Sequence, residues 1–209
     1  MRMLRALIGV VCFAIAGFAG AQNLREGIDY TLLNPPQPTE RGKIEVTEFF
    51  SYMCPHCAHF EPVLAAWVKT LPKDVSFQRI PVVYHPQWEA PARLYYTLEE
   101  LNEVGRLNEA VFNAIHVQGS NLSTDAGVAE WAARNGINPK KFSDVYNSFT
   151  TQSKLQRAKQ ATASYRIDSV PSMVVAGKYR APTEKFTGTH EELLKIVDAL
   201  IAKARAEKR

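Results

Sequence analysis

Between residues 43 and 50 the chain reads KIEVTEFF, an alternation that puts Ile44, Val46, Glu48 and Phe50 on one face and predicts a β-strand. A Pro-rich turn, Asn34-Pro35-Pro36-Gln37-Pro38, comes before it. From Cys54 the period changes. Phe60, Leu64, Trp67, Val68 and Leu71 recur at helical spacing until Pro72, so a helix should open at Cys54 and stop before that proline. VSFQRIPVVY, residues 75–84, is a second strand pattern with Val75, Phe77 and Arg79 on one face and Pro81 marking a strand end or an edge. Strand, helix, strand in this order implies a parallel unit.

Between residues 86 and 149 the composition shifts to Ala, Leu, Glu and Asn, with helical stripes such as Leu94, Leu98, Leu101 and Val111, Ile115. Breaks near Gly105, Gly119 and Gly136-Ile137-Asn138-Pro139 divide the stretch into three or four short helices inserted into the α/β unit. A helix over about 152–165 follows, then SVPSMVVAGKY, which predicts a short strand, a turn at Gly177 and a further strand. Thr189-His190-Glu191-Glu192 reads as a capping box ahead of an amphipathic helix carrying Leu193, Ile196, Val197, Leu200 and Ile201. The tail AKARAEKR is expected to fray into solvent.

The chain has 209 residues, of which 46% are hydrophobic, enough for one core or for one domain carrying an insertion. Its first residues change that picture. Arg2 and Arg5 precede an uncharged run from Ala6 to Ala21 that ends Ala19-Gly20-Ala21, the pattern of a secretory signal cleaved after Ala21. An uncleaved membrane anchor is the competing reading, but the run falls short of the ~20 residues a spanning helix needs. Cys12 lies inside this run and would leave with it, so Cys54 and Cys57 would be the cysteines of the exported chain. One pair in an exported protein belongs where disulfides persist. Loss of Arg2 and Arg5 would bring the formal charge from +4 to about +2, which does not point to nucleic acid or a membrane surface as a partner.

Cys54-Pro55-His56-Cys57 admits three readings. As a metal site it offers Cys54, His56, Cys57 and His59, but two residues along a helix point about 200° apart, so one turn cannot gather them tetrahedrally, and the chain has no second Cys-x-x-Cys. As a structural staple it closes a loop too short to stabilise much. As a redox pair it gives each residue a role. A sulfur at a helix N-terminus meets unpaired N–H groups and the positive end of the helix dipole, so Cys54 should favour thiolate. Pro55 has no N–H to waste in that turn, His56 can donate a hydrogen bond or a charge, and Cys57, one turn inward, should be buried and resolve. Contacts that favour thiolate favour the reduced state, so the motif leans towards an oxidant.

Glu48 is either a partly solvated edge carboxylate or a buried proton acceptor beneath the cysteines with Arg79 as partner. His59 and Glu61 read as solvated positions on the helix face. Trp67, Trp88 and Trp131 read as core or half-buried aromatics, and Val170-Pro171, taken alone, as an ordinary loop proline.

Taken together, CPHC, the preceding TEFFSYM and the downstream SVPSMVVAGKY resemble the DsbA family of bacterial periplasmic thiol:disulfide oxidoreductases over essentially the whole exported chain. The resemblance implies an α/β, thioredoxin-like fold with an inserted α-helical domain: a signal peptide at 1–21, the two parts of the thioredoxin-like domain at 22–85 and 150–209, and the insertion at 86–149. It implies that Cys54 is the exposed nucleophile, Cys57 its buried partner, Val170-Pro171 a cis-proline loop against the disulfide, Glu48 a buried acid and Arg79 its basic partner. Unfolded exported proteins with free thiols would be the substrates and a DsbB-like membrane quinone reductase the reoxidant, with no cofactor or metal, and the protein a monomer. An exported reductase or isomerase is the runner-up, and a thiol-dependent metal chaperone a more distant one. About twenty residues between Ala21 and the first strand leave no room for the dimerisation domain of a dimeric isomerase. Ala176 departs from the Asn that a type I′ turn prefers before Gly177, which bears only on the turn type.

Overall fold

The computed structural model describes residues 24–182 and 187–208, so the signal-peptide reading of 1–21 and Cys12 lies outside the described residues. The two predicted strands are present as β2 (Ile44–Phe50) and β3 (Val75–Pro81), parallel and in register from Ile44 beside Val75 to Phe50 beside Pro81. Between them runs α1 (Pro55–Val68), which ends short of Pro72, and Thr70 N–H donates to the Trp67 carbonyl in the turn that follows. On the other side of β2 lies antiparallel β4 (Ser172–Val175), then β5 (Tyr179–Arg180) and β1 (Thr31–Leu32), giving the order β1-β5-β4-β2-β3. No periodicity announced β1, which has two residues and lies at the sheet edge. All seven residues of β2 are buried, so the alternation that identified it does not separate a wet face from a dry one. Val46 joins a core with α1 and the C-terminal helix, Phe49 packs with Tyr165 and Ile167 on the opposite face, and Phe50 enters the core of the helical segment.

That segment contains a 3₁₀ turn (Pro86–Trp88) and then α2 (Glu89–Glu100), α3 (Val104–His116), α4 (Asp125–Arg134) and α5 (Pro139–Tyr146). Gly119 and Gly136 lie in the connections, and the break expected near Gly105 falls just before it, where Asn102 adopts φ 57°, with Gly105 itself in the first turn of α3. Next comes α6 (Phe149–Ser164), starting three residues earlier than its pattern suggested because Ser148 caps it by accepting from Thr151 N–H. Leu155 and Ala158 of α6 share one core with Leu94, Leu98, Val111 and Trp131, and the same core holds Tyr52, Cys54 and Cys57. The cysteine turn is thus wedged between the sheet and the helical segment.

The β4–β5 turn has Ala176 at φ 53° and Gly177 at φ 60°, with Lys178 N–H donating to the Val175 carbonyl, the pattern of a type I′ turn despite the alanine. The last helix, α7 (His190–Glu207), begins with the predicted capping box: Thr189 Oγ1 accepts from Glu192 N–H and the Glu192 carboxylate from Thr189 N–H. The frayed tail expected after Ile201 is not found through Glu207. Ala204 is buried, Arg205 pairs with Asp74 at 2.6 Å, and Glu207 accepts from Lys178 and from the Tyr179 hydroxyl. The alanines and charges of this stretch look like a solvated end by composition, but two helix turns of it lie against the sheet.

Candidate active site

β2 delivers the chain to the site. After Phe50, Ser51 turns it, with Cys54 N–H donating to the Ser51 carbonyl at 3.1 Å, and Cys54 becomes the N-cap of α1 with extended backbone (φ −90°, ψ 118°). Pro55 occupies the first helical position, where its missing N–H costs nothing. His56 is exposed beside it and Cys57 faces inward at 0% exposure. Antiparallel pairing of β4 sets Met173 beside Glu48 and Ser172 beside Phe49, which carries Val170-Pro171 alongside the cysteines. The Val170–Pro171 bond is cis, and the Cys54 thiol lies 3.4 Å from the Val170 carbonyl oxygen.

Both cysteines are free thiols. The two sulfurs titrate in opposite directions. Cys54 is brought from 9.0 down to about 6, first by a hydrogen bond from the Cys57 thiol, then by the backbone N–H groups of Cys57 and His56, and last by the His56 charge; partial burial opposes these. Cys57 is pushed well above the ordinary thiol range, mainly by burial and then by Cys54 and the nearby Glu48 charge. At neutral pH the pair therefore carries one thiolate, on Cys54, with Cys57 as its donor.

Beneath Cys57 lies a buried ionic cluster. Arg79, on β3 directly beside Glu48, donates from Nε to Glu48 at 2.8 Å and from Nη2 to Glu61 at 2.9 Å. Glu48 is 1% exposed, and burial raises it to about 7 against the opposing pull of Arg79. Burial also raises Glu61. Two carboxyl groups share one guanidinium, so a proton has reason to reside on the pair at neutral pH.

The DSBA-like thioredoxin domain matches residues 45–193 of the chain. The chain belongs to this family. It is 38% identical over 202 residues to the thiol:disulfide interchange protein DsbA of Bordetella parapertussis, covering 96% of each chain. Against the DsbA of Pseudomonas aeruginosa the identity is 38% over 208 residues, covering 97% of this chain and 98% of that one. The crystal structure of P. aeruginosa DsbA superposes with a TM-score of 0.82 at 39% identity over 86% of this chain and 94% of that one. An oxidoreductase from Neisseria meningitidis gives 0.80 at 31% identity, over 88% and 96%.

As a member of the DsbA family the chain is a thiol:disulfide oxidoreductase with a thioredoxin-like fold. Two of its site residues, Cys54 and Glu61, differ from their sequence reading. Cys54 is 7% exposed, less open than an exposed nucleophile, because the Val170 carbonyl covers its sulfur. Of the two readings of Glu48, the buried one holds. Glu61 is not on a solvated face: it is buried against Arg79, whereas His59 is exposed as expected. A signal for Glu61 was present, since Cys57, Phe60, Glu61 and Leu64 follow the i, i+3, i+4, i+7 spacing of the buried face. Tyr52, Asn108 and His116 were missed, and only the fold joins them: Tyr52 donates to Asn108 Oδ1 at 2.6 Å, and His116 Nε2 lies 2.8 Å from the Tyr52 carbonyl.

Proposed function

We propose that this protein is an exported dithiol oxidase that passes its Cys54–Cys57 disulfide to thiol pairs in unfolded exported proteins. The observation that carries the reading is the opposite titration of the two sulfurs, Cys54 down to about 6 and Cys57 upward. A substrate thiolate attacks Cys54 Sγ of the oxidised enzyme, a substrate–Cys54 bond forms, and the Cys54–Cys57 bond breaks with its electron pair leaving on Cys57, which takes up a proton. A second substrate thiolate then attacks the substrate sulfur of the mixed disulfide, and Cys54 leaves as the stabilised thiolate. The substrate loses two electrons and the enzyme gains them. Glu48, titrating near 7 beneath Cys57, is suited to supply and recover the proton that Cys57 exchanges. Backbone groups of Val170 and Pro171 beside Cys54 are suited to pair with an extended substrate. Reoxidation falls to a DsbB-like membrane quinone reductase, and the protein acts in the periplasm after cleavage behind Ala21.

Equilibration with glutathione buffers tests the reading. An oxidase should be half reduced in buffers dominated by oxidised glutathione. A Cys54–Cys57 disulfide that persists in excess reduced glutathione identifies a reductase instead.

A further inference from the structure

The turn that carries β2 into α1, residues 51–54, is closed by Cys54 N–H donating to the Ser51 carbonyl at 3.1 Å. The central peptide of such a turn, here between Tyr52 and Met53, is the one whose rotation leaves the closing bond intact. In this protein it is held at both ends. Its N–H, from Met53, donates to Ser51 Oγ at 3.1 Å, and its carbonyl, from Tyr52, lies 2.8 Å from His116 Nε2. A carbonyl oxygen only accepts, so Nε2 is the ring nitrogen that carries a proton and donates. His116 is half-buried at the end of α3, one turn beyond Phe112 and two beyond Asn108, so all three lie on one face of that helix. That face clasps Tyr52 along its length. Asn108 Oδ1 accepts from the Tyr52 hydroxyl at 2.6 Å, the Phe112 ring meets the Tyr52 ring edge-on at 4.9 Å and stacks on His116 at 6.3 Å, and His116 takes the carbonyl.

We propose that His116 is a positioning residue for the redox centre: from the inserted helical segment it pins the Tyr52–Met53 peptide, and so holds the Cys54 sulfur at the N-terminus of α1 when no disulfide does. The two redox states use this pin unequally. In the oxidised protein the Cys54 sulfur is tied covalently to Cys57 on α1, whichever way the preceding peptide leans. In the reduced protein the turn alone sets where Cys54 enters the helix, and with it the approach of its sulfur to the N–H groups of His56 and Cys57. The His116 bond therefore supports the reduced state more than the oxidised one, and its loss moves the thiol–disulfide equilibrium towards the disulfide. A His116 that merely joined the helical segment to the sheet would destabilise both states alike and leave that equilibrium where it is. The proposal rests on Cys54 and Cys57 working as a dithiol pair, and not on the direction in which the pair works.

The test compares the native protein with His116→Phe, which keeps a ring against Phe112 but has no donor, and with His116→Gln, whose amide can donate from nearly the place of Nε2. Two quantities are read for each: the equilibrium constant with glutathione, and the Cys54 midpoint from thiolate absorbance against pH. His116→Phe should shift the constant towards the disulfide by about three- to tenfold, the worth of one hydrogen bond, and raise the Cys54 midpoint above about 6. His116→Gln should stay close to the native values. A folded His116→Phe with both quantities unmoved overturns the proposal, and so does a His116→Gln that shifts as far as His116→Phe, since the ring and not its donor would then matter. Should His116→Phe fail to fold, Ser51→Ala releases the other end of the same peptide and should move the constant in the same direction; a native constant there overturns the proposal as well. The native protein's own constant decides between oxidase and reductase, and only the change between variants bears on His116, so the two readings fail separately.

Discussion

The largest influence holding the Cys54 sulfur down is a thiol hydrogen bond from Cys57, and the imidazole of His56 contributes least of the favourable contacts. The order has a physical basis. Burial keeps Cys57 protonated far above neutral pH, so it is a permanent donor, whereas exposed His56 acts through a solvent-screened charge. Cys57→Ala should therefore raise the Cys54 midpoint from about 6 towards 9.0 by more than His56→Ser does, as read from thiolate absorbance against pH. Equal shifts, or a larger one for His56→Ser, would assign the stabilisation to the imidazole. At this scale the sequence disclosed the cysteines and their surroundings well, because a helix N-terminus follows from Cys54-Pro55 and the strand before it. It disclosed Glu61 less well: a carboxylate on a buried stripe is normally an error of assignment, and only Arg79 arriving from a neighbouring strand makes the position tolerable.

At the scale of elements, what was legible is what local chemistry decides. The parallel β2–α1–β3 unit and the α7 capping box follow from period and caps, and both are present. The edge strand β1 and the docked end of α7 depend on partners distant in sequence, such as Tyr179, Arg180 and Asp74, and no window of the chain contains them, whereas the early start of α6 rests on the local Ser148 cap. Two variants probe these long-range parts. At Gly177 a Cβ would come within 2.2 Å of the Gln37 carbonyl oxygen, on a backbone at φ 60°. Gly177→Ala should lower stability by about 1–3 kcal/mol in denaturant unfolding, and an unchanged midpoint would mean that the segment bearing Gln37 moves aside freely. Deleting residues 204–209 should cost about 1–2 kcal/mol, from the buried methyl of Ala204 and the ion pairs of Arg205 and Glu207. No change on deletion would restore the frayed-tail reading.

For the whole molecule, redox state and folding are linked through a thermodynamic cycle. In the unfolded chain Cys54 and Cys57 behave as ordinary thiols three residues apart. In the fold, the Cys54 thiolate gains the Cys57 donor and the amides at the start of α1, and the neutral disulfide cannot use them as fully. The reduced protein should therefore resist unfolding better than the oxidised one, opposite to the usual effect of a disulfide. The size follows the difference in potential between folded and unfolded chains, about 1.4 kcal/mol for each 30 mV. The pH dependence fixes the cause. A folded-state value lowered from 9.0 to about 6 contributes stability that is complete above about 9 and is lost as pH falls through about 6. Glu48, raised to about 7, contributes the reverse dependence, but it is present in both redox states and largely cancels in their difference. Denaturant melts with and without dithiothreitol should show a higher midpoint for the reduced protein at pH 8, and the gap should narrow at pH 5. A gap of the opposite sign at pH 8 contradicts the oxidase reading. A gap of the expected sign that ignores pH would leave the reading intact but move its origin away from the Cys54 thiolate, to packing around the two sulfurs.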